Sequence, residues 1–144
     1  MGNVLIMEIN YIVVCIAAVL AMVLGFVWYG ILFKKKWMEI IGVNMDITPE
    51  EQKRIQKKMI PMYLLQFVLV LLQVYVLAHF VQQFGIDMSF GTAIWIWIGF
   101  VMPTIASGVM WTNTSKNMKL MQFLIHAGYN LVVFALFGFL LGIG

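Results

Sequence analysis

Four long stretches without a charged residue constrain the fold of this 144-residue chain more than any other feature. Each is long enough to cross the hydrocarbon core of a bilayer, which takes about 20 helical residues. Backbone polar groups in lipid have to bond within their own segment, so each stretch is predicted to be a helix. We therefore predict an all-α, four-transmembrane-helix bundle, a single domain over 1–144, with spans at about 11–33, 59–81, 90–111 and 120–143.

The composition agrees with a lipid environment. Apolar residues make up 63% of the chain and charged residues 10%, against roughly 45–50% and about 25% in soluble domains. The net charge of +3 comes from basic residues beside the helix ends. That placement is typical of bilayer anchoring. The predicted partner is therefore the lipid bilayer, and nucleic-acid binding is not expected.

The basic residues also predict an orientation. All nine Lys and Arg lie in two loops, seven within residues 34–58 and two within residues 112–119. The amino terminus, the second loop and the carboxyl end contain none. Since cytoplasmic loops carry the excess of Lys and Arg, we predict both basic loops inside and both termini outside.

The first loop, residues 34–58, contains a helix start. Thr48 is a candidate N-cap, Pro49 suits the first helical position, and Glu51 completes a capping box. These residues predict a short amphipathic cytoplasmic helix between spans 1 and 2. Pro61 is expected to interrupt it where the chain turns into the second span.

Inside the spans every polar side chain is neutral, since no Asp, Glu, Lys or Arg occurs there. This excludes proton antiport through a buried carboxylate and voltage sensing by an arginine ladder. At ~1.5 Å per residue, several polar and aromatic side chains lie roughly 6–15 Å from the cytoplasmic end. The predicted ligand-binding residues of this polar layer are Trp28, Tyr29, Gln66, Thr104, His126, Tyr129 and Asn130.

Two interpretations of the polar layer remain open. Its side chains either bond across helices to hold the bundle together, or line a polar cavity open to the cytoplasm. Pro103, beside Thr104, leaves one backbone carbonyl without its usual helical partner. His79 and His126 differ in depth by about 20 Å, so they cannot share one iron. No metal site, cofactor or catalytic set is predicted, and an enzyme is disfavoured.

Small residues four apart predict close helix packing. Ala17, Ala21 and Gly25 form such a seam on span 1, and Gly138 with Gly142 forms one on span 4. The seams either close the bundle or join protomers. A homo-oligomer, by default a dimer, is expected because four helices leave little interior volume for a pore.

Four motifs together resemble a known family. The first is residues 25–30 (GFVWYG) followed by Leu32, Phe33 and Trp37, and the others are residues 75–80 (YVLAHF), 99–104 (GFVMPT) and 127–129 (AGY). The resemblance is to DUF1761, bacterial four-span membrane proteins of unknown function, and it implies location in the bacterial inner membrane. It marks Gly25, His79 and Pro103 as motif residues. The family usually has Asn where His126 stands and Pro where Ile31 stands, which implies a hydrogen-bonding role for His126 rather than acid–base catalysis.

Three functions are compatible with these observations. The first is binding or passing a small neutral or cationic solute through the polar layer in the cytoplasmic half. The second is a non-catalytic accessory subunit of a membrane complex, and the third is a membrane enzyme acting on a lipid or quinone. A hydrated or ligand-filled cavity touching Gln66, Thr104 and Asn130 would favour the first, and a dry, fully packed bundle would favour the second.

Overall fold

The computed structural model describes residues 9–42 and 46–144, and within these ranges the regular structure is helical throughout. Two π-helical turns, Trp28–Leu32 and Trp97–Val101, interrupt the first and third long helices, and a 3₁₀ turn precedes the third. The α-helices are α1 (Tyr11–Val27), α2 (Lys34–Ile41), α3 (Pro49–Lys58), α4 (Ile60–Phe84), α5 (Ser89–Ile96), α6 (Met102–Met110) and α7 (Lys116–Ile143).

Among the described residues, four helical segments are long and apolar enough to cross a membrane. We call them spans 1 to 4, and they are Tyr11–Leu32, Ile60–Phe84, Ile86–Met110 and Lys116–Ile143. The predicted all-α four-helix bundle is therefore confirmed, and the chain is a multi-pass membrane protein by the length and composition of its helices.

Span 4 is the centre of the bundle. It packs against all three other spans, whereas span 1 packs on span 2 and span 2 on α5 of span 3. Asn10 Nδ2 donates to the carbonyl of Gly144 at 3.5 Å, so the start of span 1 meets the end of span 4. The two basic loops adjoin the other ends of the spans, and we call that side of the bundle the basic side.

The tightest packing lies in the half of the bundle away from the basic side. Ala17, Ala18 and Ala21 of α1 are fully buried there, as are Val74 of α4 and Phe137 of α7. Near the basic side, by contrast, the residues of α4 from 60 to 69 are all exposed except Phe67, which is half-buried. Span 2 thus covers less of the bundle in that half.

The small-residue seams pack against helices of the same chain. The Cα of Phe90 and the Cβ of Ala93 in α5 lie so close to Gly138 that a Cβ there would be 2.8 and 2.9 Å from them. Ser89 Oγ, also on α5, donates to the Gly138 carbonyl at 2.7 Å. The seam on span 4 therefore packs against α5 within the chain, as expected if it closes the bundle.

The first loop holds two helices rather than the one predicted. The cap of α3 is confirmed, since the backbone N–H of Glu51 donates to Thr48 Oγ1 at 3.2 Å. The expected interruption falls at Met59, with Pro61 in the first turn of α4. The additional helix, α2, ends at Gly42, whose φ of +75° is the left-handed conformation that glycine adopts without strain.

Candidate functional site

Five ring-bearing side chains gather near the basic side, where span 1 and α2 meet span 4. They are Trp28 and Tyr29 from the first π turn, Trp37 from α2, and His126 and Tyr129 from α7. We call this group the aromatic–histidine cluster. Tyr129 is buried and the other four are half-buried.

A hydrogen bond between Tyr29 and His126 lies at the centre of the cluster. The Tyr29 hydroxyl is 2.6 Å from His126 Nδ1, and either group can be the donor, depending on the histidine tautomer. The Trp37 ring lies nearly parallel to the imidazole, at 20° with centroids 6.1 Å apart. It also contacts the Tyr29 ring at 4.6 Å, so α2 covers this hydrogen bond from the loop side.

Tyr129 forms the deeper wall of the cluster. Its ring meets that of Tyr29 edge to face at 5.0 Å, and its centroid is 6.4 Å from that of Trp28. Its hydroxyl donates to the backbone carbonyl of Ala21 at 2.9 Å, which satisfies the polar end of a buried side chain. Tyr129 thereby joins the cluster to the tightly packed half of the bundle.

The π turns position two indole rings over the same part of α7. In the first turn the N–H of Phe33 bonds back to the carbonyl of Trp28 at 2.9 Å, five residues away. The indole of Trp28 then donates to the carbonyl of Ile125 at 2.9 Å, and Trp97 of the second turn donates to that of Ala127 at 3.2 Å. Single π turns of this kind are frequent at functional sites.

Two glycines make room for the cluster. A Cβ at Gly25 would lie 3.0 Å from the Tyr129 hydroxyl, and one at Gly128 would lie 3.3 Å from Cζ2 of Trp28. Each glycine thus accommodates a large ring from the facing helix, so α1 and α7 approach closely at the cluster.

The structure brings together four of the seven predicted ligand-binding residues, namely the members of the cluster other than Trp37. Asn130 follows Tyr129 on α7, and its Nδ2 donates within that helix to the carbonyl of His126 at 2.9 Å. Gln66 and Thr104 lie apart from them, exposed on spans 2 and 3. Thr104 Oγ1 bonds within its own helix, to the carbonyl of Phe100 at 2.5 Å. A role in ligand binding stays a prediction for all seven residues.

The motif residues Gly25, Pro103 and His79 occupy three different environments. Gly25 faces Tyr129 as described. Pro103 is exposed in the first turn of α6, two residues after the second π turn, and its missing N–H leaves one α-helical hydrogen bond unmade there. His79 lies in the other half of the bundle, edge-on to the ring of Tyr75 at 4.7 Å. Within residues 9–42 and 46–144, no three His, Cys, Asp or Glu side chains could hold a metal ion together.

Trp37 was absent from the predicted site because it lies outside the four spans. Its helix carries a signal in the sequence, however: an apolar stripe at residues 37, 38 and 40–41, followed by Gly42 at the position where helices commonly end. Residues 37, 38 and 40 are indeed half-buried, whereas the three preceding lysines are exposed.

The cluster offers two kinds of interaction to a ligand. Its aromatic faces are electron-rich and attract a cation within about 6 Å of the ring centroid. His126 Nε2 makes no hydrogen bond with any residue that the structure describes, so it is available to donate or accept one. No Lys, Arg, Asp or Glu of the described chain makes a hydrogen bond or ion pair to the cluster.

Comparison with known proteins identifies a family but no activity. No curated protein and no solved structure matches the chain. A family model described as a protein of unknown function, DUF1761, matches residues 12–142. That match covers both π turns, α2 and the whole aromatic–histidine cluster. The chain therefore belongs to the DUF1761 family, whose function is unknown.

Proposed function

We propose that this protein binds a small neutral or cationic solute at the aromatic–histidine cluster, reached from the basic side of the bundle. The observation that carries the proposal is the 2.6 Å hydrogen bond between Tyr29 and His126, which lies between the rings of Tyr129 and Trp37. Ring faces attract cations, and the imidazole supplies a hydrogen bond that orients either a cationic or a neutral molecule.

Access to the cluster is supported by its position and by its cover. Trp37 belongs to α2, which lies outside the spans, and it is half-buried rather than enclosed. Moving α2 would separate the Trp37 ring from His126 and from Tyr29 of span 1, and would open the cluster toward the basic side. If the basic loops face the cytoplasm of a bacterial inner membrane, as the positive-inside rule predicts, the solute arrives from the cytoplasm.

Passage of the solute across the membrane requires a second conformation. In the present one the half of the bundle away from the basic side is closed by fully buried side chains, among them Ala18, Val74 and Phe137. We therefore propose binding as the function. Transport would require, in addition, that this packed half of the bundle open.

The test is a thermal-stability measurement on the detergent-purified protein with two probes of the same shape. Choline carries a quaternary ammonium, and 3,3-dimethyl-1-butanol replaces it with a neutral tert-butyl group. We expect choline at millimolar concentration to raise the melting temperature, and the neutral probe to do so less if cation–π attraction dominates. Equal shifts would assign the site to neutral solutes.

Two tryptophan variants provide the matched comparison. Trp37→Ala removes one wall of the cluster and should abolish the shift. Trp111→Ala removes a tryptophan that is 81% exposed and lies outside the cluster, and should preserve it. The proposal fails if neither probe stabilises the wild-type protein, or if the two variants respond alike.

A second candidate function is that of an accessory subunit in a membrane complex, and the environment of Gln66 favours it. This side chain is exposed within span 2 and makes no hydrogen bond with the described residues. A primary amide facing lipid is costly, whereas a neighbouring protein or a second copy would satisfy it. Gln66→Leu should then weaken co-purification with such a partner and leave the choline response unchanged.

A further inference from the structure

A groove at the basic side lies between α6 and α7, away from the aromatic–histidine cluster. Its volume is about 330 Å³. Its walls are apolar, and two lysines stand at its mouth. The lining residues are Ala106, Val109, Met110, Lys116, Lys119, Leu120 and Phe123, and we call this feature the α6–α7 groove.

Contacts within the chain fix one of the two ammonium groups in place. Lys119 Nζ donates to the carbonyl of Met110 at 2.9 Å, which holds it at the end of α6. One of its three N–H groups is used in this way, and two are left for another acceptor. Lys116 is three residues earlier on the same helix, exposed, and without a hydrogen bond to the described residues.

Helix stability does not account for this pair of lysines. Both lie in the first turn of α7, where the helix dipole is positive and cations are unfavourable. That turn contains no acidic residue, and two like charges three residues apart repel each other. An anion at the mouth of the groove would relieve both effects.

The lysine end of the groove also lies beside a residue typical of the headgroup level. Trp111 directly follows α6 and is 81% exposed, and exposed tryptophans at the end of a span are typical of the membrane–water interface. The apolar walls therefore face acyl chains, and the lysines face the phosphate level. A phospholipid with a net negative headgroup matches both parts of the surface.

We infer that the α6–α7 groove binds an anionic glycerophospholipid from the leaflet on the basic side. One acyl chain lies along Val109, Leu120 and Phe123, and the phosphate accepts hydrogen bonds from Lys116 and Lys119. This inference does not depend on the proposed solute site, since the two share no residue.

The experiment is native mass spectrometry of the full chain, purified in detergent and titrated with lipids of identical acyl chains. Wild-type protein should bind phosphatidylglycerol more tightly than phosphatidylcholine. Lys116→Gln with Lys119→Gln should weaken phosphatidylglycerol binding about thirtyfold and leave phosphatidylcholine binding nearly unchanged. The control, Lys57→Gln with Lys58→Gln, removes the same charge at the end of α3 and should retain wild-type affinity.

Two further variants separate charge from shape. Lys116→Gln alone leaves the Lys119–Met110 contact intact and should still weaken phosphatidylglycerol binding, by about fivefold. Ala106→Phe fills the groove and should weaken binding of both lipids. The inference is overturned if the α3 control loses as much affinity as the α7 double variant, if Lys116→Gln has no effect, or if Ala106→Phe binds both lipids as the wild type does.

Discussion

Replacing Gly138 with alanine tests whether span 4 closes the bundle through its glycine seam. The added Cβ would lie 2.8 Å from the Cα of Phe90 and 2.9 Å from the Cβ of Ala93. Neither neighbour can rotate away, because one atom belongs to the backbone and the other is attached directly to it. The helix α5 therefore has to move as a whole.

The expected cost follows from these contacts. Overpacking of a well-packed site destabilises a protein by ~1–3 kcal/mol. Displacing α5 also strains the bond from Ser89 Oγ to the Gly138 carbonyl, and a polar contact of this kind contributes roughly 0.6 kcal/mol in a membrane bundle. The higher helix propensity of alanine offsets up to ~1 kcal/mol of this loss of stability.

Gly91→Ala is the matched control, because it gains the same propensity with nothing within 4 Å of the new Cβ. The assay is unfolding of each purified variant by SDS in mixed micelles, followed by circular dichroism at two protein concentrations. We expect Gly138→Ala to be less stable than Gly91→Ala by ~1–3 kcal/mol at both concentrations. Equal stability would refute the reasoning, and a difference that changes with protein concentration would place the seam between protomers.

Two other predictions address the cluster and the orientation. Gly25→Ala should cost less stability in the Tyr129→Phe variant than in the wild-type protein, because Tyr129→Phe removes the hydroxyl that lies 3.0 Å from the new Cβ. Additive effects of the two substitutions in a double-mutant cycle would contradict this contact. In a Cys15→Ser background, a membrane-impermeant thiol reagent applied to intact cells should label cysteine at Asp87 and spare cysteine at Asn113, and the reverse pattern would invert the topology.

Much of the fold follows from local sequence, and the helix ends show the limit of that reasoning. The last span was expected from about residue 120, whereas α7 begins at Lys116. The absence of charge marks only the part of a helix that lies in lipid, but the hydrogen-bonded ladder continues into the headgroup region. The cap at Ser115, whose Oγ accepts from the N–H of Met118, is what begins the helix there.

The candidate site was predictable in part. Equal depth along the spans selected Tyr29 and His126, which the structure joins by a hydrogen bond. Depth says nothing about the direction in which a side chain points, so Gln66 and Thr104 were selected on the same criterion although they face outward. Trp37 was missed because its contact with the site depends on how α2 folds back over span 4.

The sequence by itself determined the number of spans, the side of the bundle that carries every cation, and the cap of α3. These depend on the composition of single segments and on the cost of burying charge or unbonded backbone in lipid. Only the tertiary structure decided which polar side chains meet, where the π turns direct the two indoles, and that Gly138 packs against α5. Those outcomes depend on the rotation of each helix about its axis, which is set by packing against neighbours distant in sequence.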